Sequence, residues 1–183
     1  GGNLAADAQV GPVNNFLHSL FSQVDISLNG TLITSSTNTY PYRAYIEDLL
    51  SYGSESKESQ LTAGLFYKDT PGKMGVANSR AAEADRNHGL TKRAEFTNGS
   101  RVVDLMGRLH SDIFFQERYM LNEVNTKIRL IRSRDNFCLM STGQFKVKIM
   151  AASLFIRKVK VSPSVFLAHA KTLEKSLAKY PIR

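Results

Sequence analysis

Residues 23–33 read QVDISLNGTLI. Val24, Ile26 and Leu28 alternate with Asp25 and Ser27, so an extended chain sets the apolar three on one face and the polar pair on the other. Asn29-Gly30 then supplies two residues that accept positive φ, as a two-residue hairpin turn requires. The stretch predicts an antiparallel hairpin, and the same alternation returns later. In RVVDLMGRLHSDIFF (101–115), Val103, Leu105, Leu109 and Ile113 share one parity, Asp104, Arg108, His110 and Asp112 the other, and Gly107 marks a bend or bulge. NTKIRLIRSR (125–134) sets Ile128 and Leu130 opposite Lys127 and Arg129. FKVKIMAASLFIRKVKV (145–161) sets Phe145, Val147 and Ile149 against Lys146 and Lys148 and continues as one long strand or two.

Helical signals are fewer. GPVNNFLHSLF (11–21) carries Val13, Phe16, Leu17, Leu20 and Phe21 at helical spacing behind Pro12, predicting a short helix over 12–21. TYPYRAYIEDLLSYG (39–53) predicts a helix over 41–52 with Tyr42, Tyr45, Ile46, Leu49 and Leu50 as its buried face and Gly53 ending it in the left-handed conformation. SESKESQLTAGLF (54–66) adds a short helical piece. Residues 68–99 are polar, rich in turn formers and without sustained periodicity, and read as a long surface loop. Ser162 as cap, Pro163 in the first turn, and Phe166, Ala170, Leu173 and Leu177 as a stripe predict a helix over 163–179.

The chain has 183 residues, 42% of them hydrophobic, enough for one domain with its own core. No apolar run approaches the ~18 residues that span a bilayer, so no membrane span is expected. The start, GGNLAADAQVGP (1–12), lacks a basic region followed by an apolar stretch and reads as a loop entered midway rather than a signal peptide. Cys138 is the one cysteine, and its apolar neighbours in NFCLM (136–140) predict a buried, inert thiol. Asn29-Gly-Thr and Asn98-Gly-Ser match the glycosylation pattern, but both read first as turns.

Chemistry is hard to find in this pattern. His110, Ser111 and Asp112 are neighbours, yet on a strand Ser111 faces away from the other two, which rules out a self-contained triad. His18, His88, His110 and His169 are scattered, with no paired spacing of metal ligands. TPGKMG (70–75) lacks the first glycine of a phosphate loop and has Met74 where a hydroxyl is required. Glu47-Asp48 and Asp104/Asp112 are carboxylate pairs whose surroundings the sequence does not distinguish. The reading is therefore no enzyme: no catalytic residues, no cofactor, no metal and no small-molecule substrate. The formal charge of +8 permits contact with a polyanion. Lys127, Arg129, Lys146, Lys148, Lys158 and Lys160 on the C-terminal strands are the candidates for a face toward nucleic acid, against the plainer reading of a solvated sheet whose lysines discourage edge pairing.

Several long blocks carry a resemblance: residues 13–53, QLTAGLFYKDTPGKM (60–74), GRLHSDIFFQERYMLN (107–122), KIRLIRS (127–133), FCLM (137–140) and residues 162–183. In this order they resemble the double jelly-roll major capsid proteins of Polinton/Maverick-type elements and adintovirus-like viruses, over nearly the whole chain from about Val10. The resemblance implies a mainly β fold with peripheral helices: an incomplete antiparallel jelly-roll β-sandwich, part of the first roll of a double jelly roll. Residues 1–162 would be the partial first roll and 163–183 a connector helix toward a second, with leading strands expected before Gly1 and the second roll after Arg183. The chain would then be a fragment or a transposon-derived relic. The implied function is structural: three copies form a pseudo-hexagonal capsomer that meets neighbouring capsid subunits in an icosahedral shell, in a virion assembled within the host cytoplasm or nucleus and not secreted. The alternative is a basic β-domain that binds nucleic acid.

Overall fold

The computed structural model describes residues 2–34 and 37–182. The chain divides into two compact units, one of residues 1–110 and 121–147, the other of 111–120 and 148–183; Arg183, the last residue of the expected connector, lies outside the described residues.

The first unit is organised around one strand. β2 (Phe21–Leu28) lies between β3 (Thr31–Leu32) and β4 (Thr126–Arg132) in a three-stranded antiparallel sheet. The hairpin forms where the alternation predicts it, with Asn29 at φ 48° and Gly30 at φ 84°. Val24 and Ile26 are buried, and on the opposite parity Gln23 and Asp25 are buried as well. Asp25 tolerates this because Arg129, its cross-strand partner, donates to its carboxylate from Nε at 3.0 Å and Nη2 at 2.6 Å. Hydrogen bonds from Gln23 and then from Arg129 hold the Asp25 carboxyl below its ordinary value.

β1 (Val10–Pro12) pairs antiparallel with β5 (Leu139–Ser141) in a second, two-stranded sheet. α1 (Phe16–Ser19) and α5 (Asp135–Cys138) bring Phe16, Leu20, Leu65 and Cys138 into a small apolar cluster. Cys138 is buried as expected, and burial raises its pKa.

Two small sheets are not a jelly-roll sandwich, and the expectation of a mainly β fold is wrong. The period-2 segments explain the error. Across 103–113 the odd parity is the more covered, with only His110 departing clearly from it, yet 101–111 form no strand. Residues 142–162 form none either, so Lys146, Lys148, Lys158 and Lys160 do not stand on strands, whereas Lys127 and Arg129 do, on β4. Alternation records which side of an extended chain is covered; a strand needs in addition a neighbour that completes its hydrogen-bond ladder.

The helices carry further corrections. The expected helix at 12–21 shrinks to one turn, because Phe21 already belongs to β2. α2 (Tyr40–Ser51) forms, but its buried residues are Tyr40, Pro41, Ala44 and Asp48, and the supposed inner face is largely turned out. Gly53 is extended rather than left-handed and precedes α3 (Ser54–Glu58), followed by a 3-10 turn over Gln60–Gly64. The region expected to be a loop contains α4 (His88–Thr97), capped by the Asn87 side chain, which accepts from the Leu90 N–H.

α4 shows little apolar periodicity because one of its buried residues, beside Gly89 and Leu90, is an arginine. Arg93 is fully buried. Its Nε donates to the Pro12 carbonyl at 2.7 Å, Nη1 to the Tyr67 carbonyl and Nη2 to Asp69 Oδ1 at 2.7 Å. One guanidinium thus ties α4 to β1 and to the chain at 67–69. Asn87 Nδ2 also donates to Asp69 Oδ1 at 2.9 Å, so the carboxylate is held from two sides.

The second unit contains a 3-10 turn over Asp112–Phe115 and α6 (Pro163–Leu173). Ser162 caps α6 as predicted, its side chain accepting from the Val165 N–H, but the helix ends before Leu177. Tyr180 Oη donates to the Tyr119 carbonyl at 3.1 Å and the Gln116 side chain to the Pro181 carbonyl, which fastens the C-terminal segment to 111–120. No helix among the described residues is long and apolar enough to cross a membrane.

Replacing Arg93 with alanine leaves Asp69 without its buried cation and two carbonyls without a donor. Loss of one partner of a buried pair costs about 3–5 kcal/mol, and urea unfolding of Arg93→Ala should show a loss of that size. Arg93→Lys, which cannot reach all three acceptors, should recover only part of it. An alanine variant with the wild-type midpoint would show that α4 is held by something else.

Candidate functional site

A buried polar cluster stands where α1, α2 and the segment before residue 111 meet. The helical stripe Tyr40–Ala44–Asp48 faces inward at i, i+4 and i+8. Asp48 is 1% exposed, His18 of α1 7% and His110 4%. Asn15, left-handed at φ 56°, turns the chain into α1 and donates from Nδ2 to Asp48 Oδ2 at 2.6 Å.

His110 lies between two carboxylates. Its Nδ1 is 2.7 Å from Glu47 Oε2 and its Nε2 3.3 Å from Asp48 Oδ1. Glu47 is steadied from its other oxygen by Arg43, one helical turn back, at 2.7 Å. The His18 ring meets the His110 ring edge-on with centroids 4.7 Å apart, and His18 Nδ1 is 3.0 Å from Tyr40 Oη. Tyr40 Oη also accepts from the His110 backbone N–H at 3.5 Å.

The electrostatics of the two imidazoles differ. Burial, followed by the proximity of His110, pulls the His18 pKa down to about 4, against the opposing pull of Asp48 and Glu47. At His110 burial is again the largest single influence and acts downward. The hydrogen bonds that His110 donates to Asp48 and Glu47, with the charges of those carboxylates, together outweigh it, and the pKa is raised. Burial likewise pushes the Tyr40 phenol up to about 12. The two imidazoles are therefore shifted in opposite directions, His18 down and His110 up.

A small cleft of about 40 Å³ opens onto the cluster, lined among others by Asn15, His18, Asp48, Gly107, Arg108 and His110. Gly107 keeps it open: a Cβ there would lie 2.6 Å from Leu17 Cδ2 and 3.3 Å from His18 Nε2. A larger cavity of about 270 Å³ adjoins α4 and Ser79, but Arg80 and Glu95 are its only charged lining residues.

His110 thus leaves the solvated strand face assigned to it, and Glu47-Asp48, a pair in number only by sequence, becomes a pair with a shared partner. Sequence spacing could not reveal this, since His18, Asp48 and His110 are far apart along the chain and meet only through the fold. Among the basic residues, Lys127, Arg129, Lys146, Lys148, Lys158 and Lys160 are exposed, but Arg129 is committed to Asp25. Lys127, Arg129 and Lys146 belong to the first compact unit and Lys148, Lys158 and Lys160 to the second.

No family model matches the chain, and no solved structure matches it. Among curated proteins it is similar to an uncharacterized protein of Caenorhabditis elegans, 28% identical over 147 residues. The match covers 79% of this chain and 32% of that protein, so the chain spans about a third of the length of its curated relative.

The two histidines bend stability in opposite directions with pH. Between the ordinary value of 6.5 and about 4, the unfolded chain takes up a proton at His18 that the folded protein refuses, so stability falls as pH falls. Above 6.5 the folded protein keeps a proton on His110 that the unfolded chain loses, so stability falls as pH rises toward the raised value. Urea unfolding in the presence of a chelator, from about pH 4.5 to about 8.5, should show a maximum near the ordinary histidine value. His18→Gln should flatten the acid limb. A profile rising monotonically through this range would contradict the assignment.

Proposed function

We propose that this chain is part of a structural protein that assembles with copies of itself, a capsid subunit rather than an enzyme. The observation that supports it best is the outer face of α2. Tyr42, Ile46, Leu49 and Leu50 lie at helical spacing and all are exposed, Ile46 by 53% and Leu50 by 77%. Tyr42 extends the patch onto Phe137 of α5, ring centroids 5.8 Å apart. Contiguous exposed apolar surface of this kind marks a protein–protein contact. The helix beneath it is held by buried polar bonds, so the face has a fixed orientation.

The second unit has the same character. Leu154, Phe155, Ile156 and Leu177 are exposed, as are Val165, Phe166, Leu167 and Leu173 of α6. The resemblance of the sequence blocks to capsid proteins supplies the kind of assembly: a trimeric capsomer whose neighbours form a shell, built inside the host cell. The partner is a second copy of the same protein, and the reading rests on surface and sequence blocks, not on a jelly-roll fold. A match that covers 32% of a longer relative accords with a chain that serves as one part of a larger subunit.

The test is Ile46→Asp/Leu50→Asp in the full-length protein, followed by size-exclusion chromatography and electron microscopy. Both side chains are exposed, and such surface changes usually alter stability by no more than about 0.5 kcal/mol. Wild type should form trimers or larger particles; the variant should remain a folded monomer with unchanged circular dichroism. Wild-type assembly in the variant would overturn the proposal. So would a monomer of lowered thermal stability, because that would assign the face to packing within one chain.

A further inference from the structure

We propose that His18, Asp48 and His110 bind one divalent zinc ion. One donor atom from each residue lies within 4.8 Å of the others. Two imidazoles and a carboxylate, without thiolate, form a donor set that suits zinc. Zinc bonds of about 2.0–2.1 Å in tetrahedral geometry place neighbouring ligand atoms about 3.3 Å apart. His110 Nε2 and Asp48 Oδ1 already stand at 3.3 Å. His18 supplies the third donor atom, within 4.8 Å of the other two, and the cleft lined by Gly107 adjoins all three residues.

The surroundings of these three side chains carry the inference further than the donors alone. Each ligand has its second polar atom anchored by a different residue. Glu47 Oε2 accepts from His110 Nδ1 at 2.7 Å, the carboxylate–histidine arrangement that orients metal-bound imidazoles. Tyr40 Oη stands 3.0 Å from His18 Nδ1, and the tautomer with the proton on Nδ1 donates it to Tyr40 and keeps the Nε2 lone pair for a metal. Asn15 Nδ2 holds Asp48 Oδ2 at 2.6 Å and leaves Oδ1 for the ion. Asp48 and Glu47 offset the charge of the cation, and Arg43 is kept to the far oxygen of Glu47. Such outer contacts are what a buried site requires if its ligands are to meet a metal in one geometry.

The site joins α1, α2 and the chain at 107–110, so zinc would act as a structural clamp whose role does not depend on the assembly proposed above. The experiment is isothermal titration of the chelator-treated, dialysed protein with zinc chloride, repeated with cobalt(II) under visible absorption. One equivalent of zinc should bind, the thermal midpoint should rise with zinc concentration, and cobalt should give a ligand-field band. Asp48→Asn and His18→Gln should abolish binding. Glu47→Gln should keep the stoichiometry and weaken affinity about 10- to 100-fold. His88→Gln and His169→Gln should change nothing. Since the ligand variants disturb a buried network, wild-type protein supplies an independent readout. In side-chain nitrogen NMR, zinc should shift the ring nitrogens of His18 and His110 and leave those of His88 and His169. Absence of binding, binding retained in Asp48→Asn, or shifts confined to His88 and His169 would overturn the site.

Discussion

A guanidinium with no access to water must find every hydrogen bond inside the protein, and Arg93 finds its partners on two separate pieces of chain, β1 and residues 67–69. The rest of the first unit is built under the same constraint. Among its described residues, buried hydrophobic side chains stand beside nearly as many buried polar or charged ones. An interior this mixed cannot rely on apolar transfer alone; its order comes from donors and acceptors that have one way to pair. Arg93 fixes α4 on β1, Arg129 with Asp25 fixes β4 on β2, and His110 with Glu47 and Asp48 fixes α2. Each is a point where a slip of the chain would strand a charge, which makes the arrangement specific even where it contributes little net stability.

That constraint also accounts for what the sequence conceals. The hairpin at Asn29-Gly30 and the strand at 126–132 are legible because their signals are local: turn residues that accept positive φ and an alternation that a neighbouring strand completes. The start of α2 and the cap of α6 are local in the same sense. By contrast, α4 buries an arginine and a glycine beside Leu90, so a search for an apolar stripe reads polar loop. α2 was legible as a helix and misread as to its face, because the apolar stripe points outward and the inward stripe ends in Asp48. Periodicity identifies which residues share a side; it identifies the core side only when the core is apolar.

The strands expected at 103–113 and 145–161 are missing for a related reason. Alternation shows which residues share a side of an extended segment, not that a neighbouring strand completes its ladder. Val147 shows the distinction. It packs against the apolar cluster around Phe16 while its N–H is taken by the Asp135 carboxylate at 3.0 Å rather than by a neighbouring strand. The candidate site was illegible in another way: its three donors come from three parts of the chain, and only Glu47-Asp48 was adjacent enough to notice.

α2 connects the two functional readings through geometry. Its inner edge, Tyr40, Glu47 and Asp48, is tied to His18 and His110; its outer edge, Tyr42, Ile46, Leu49 and Leu50, is apolar and exposed. An apolar helix face free to rotate would soon bury itself in its own protein, since nothing in the hydrophobic effect distinguishes an internal surface from that of a partner. The polar ties prevent this. Turning α2 to hide Leu50 would pull Asp48 from Asn15 and leave His110 between vacated sites, at the cost of a buried charge without its partner. The cluster and the exposed face are therefore two sides of one device: buried polar bonds hold an apolar surface outward.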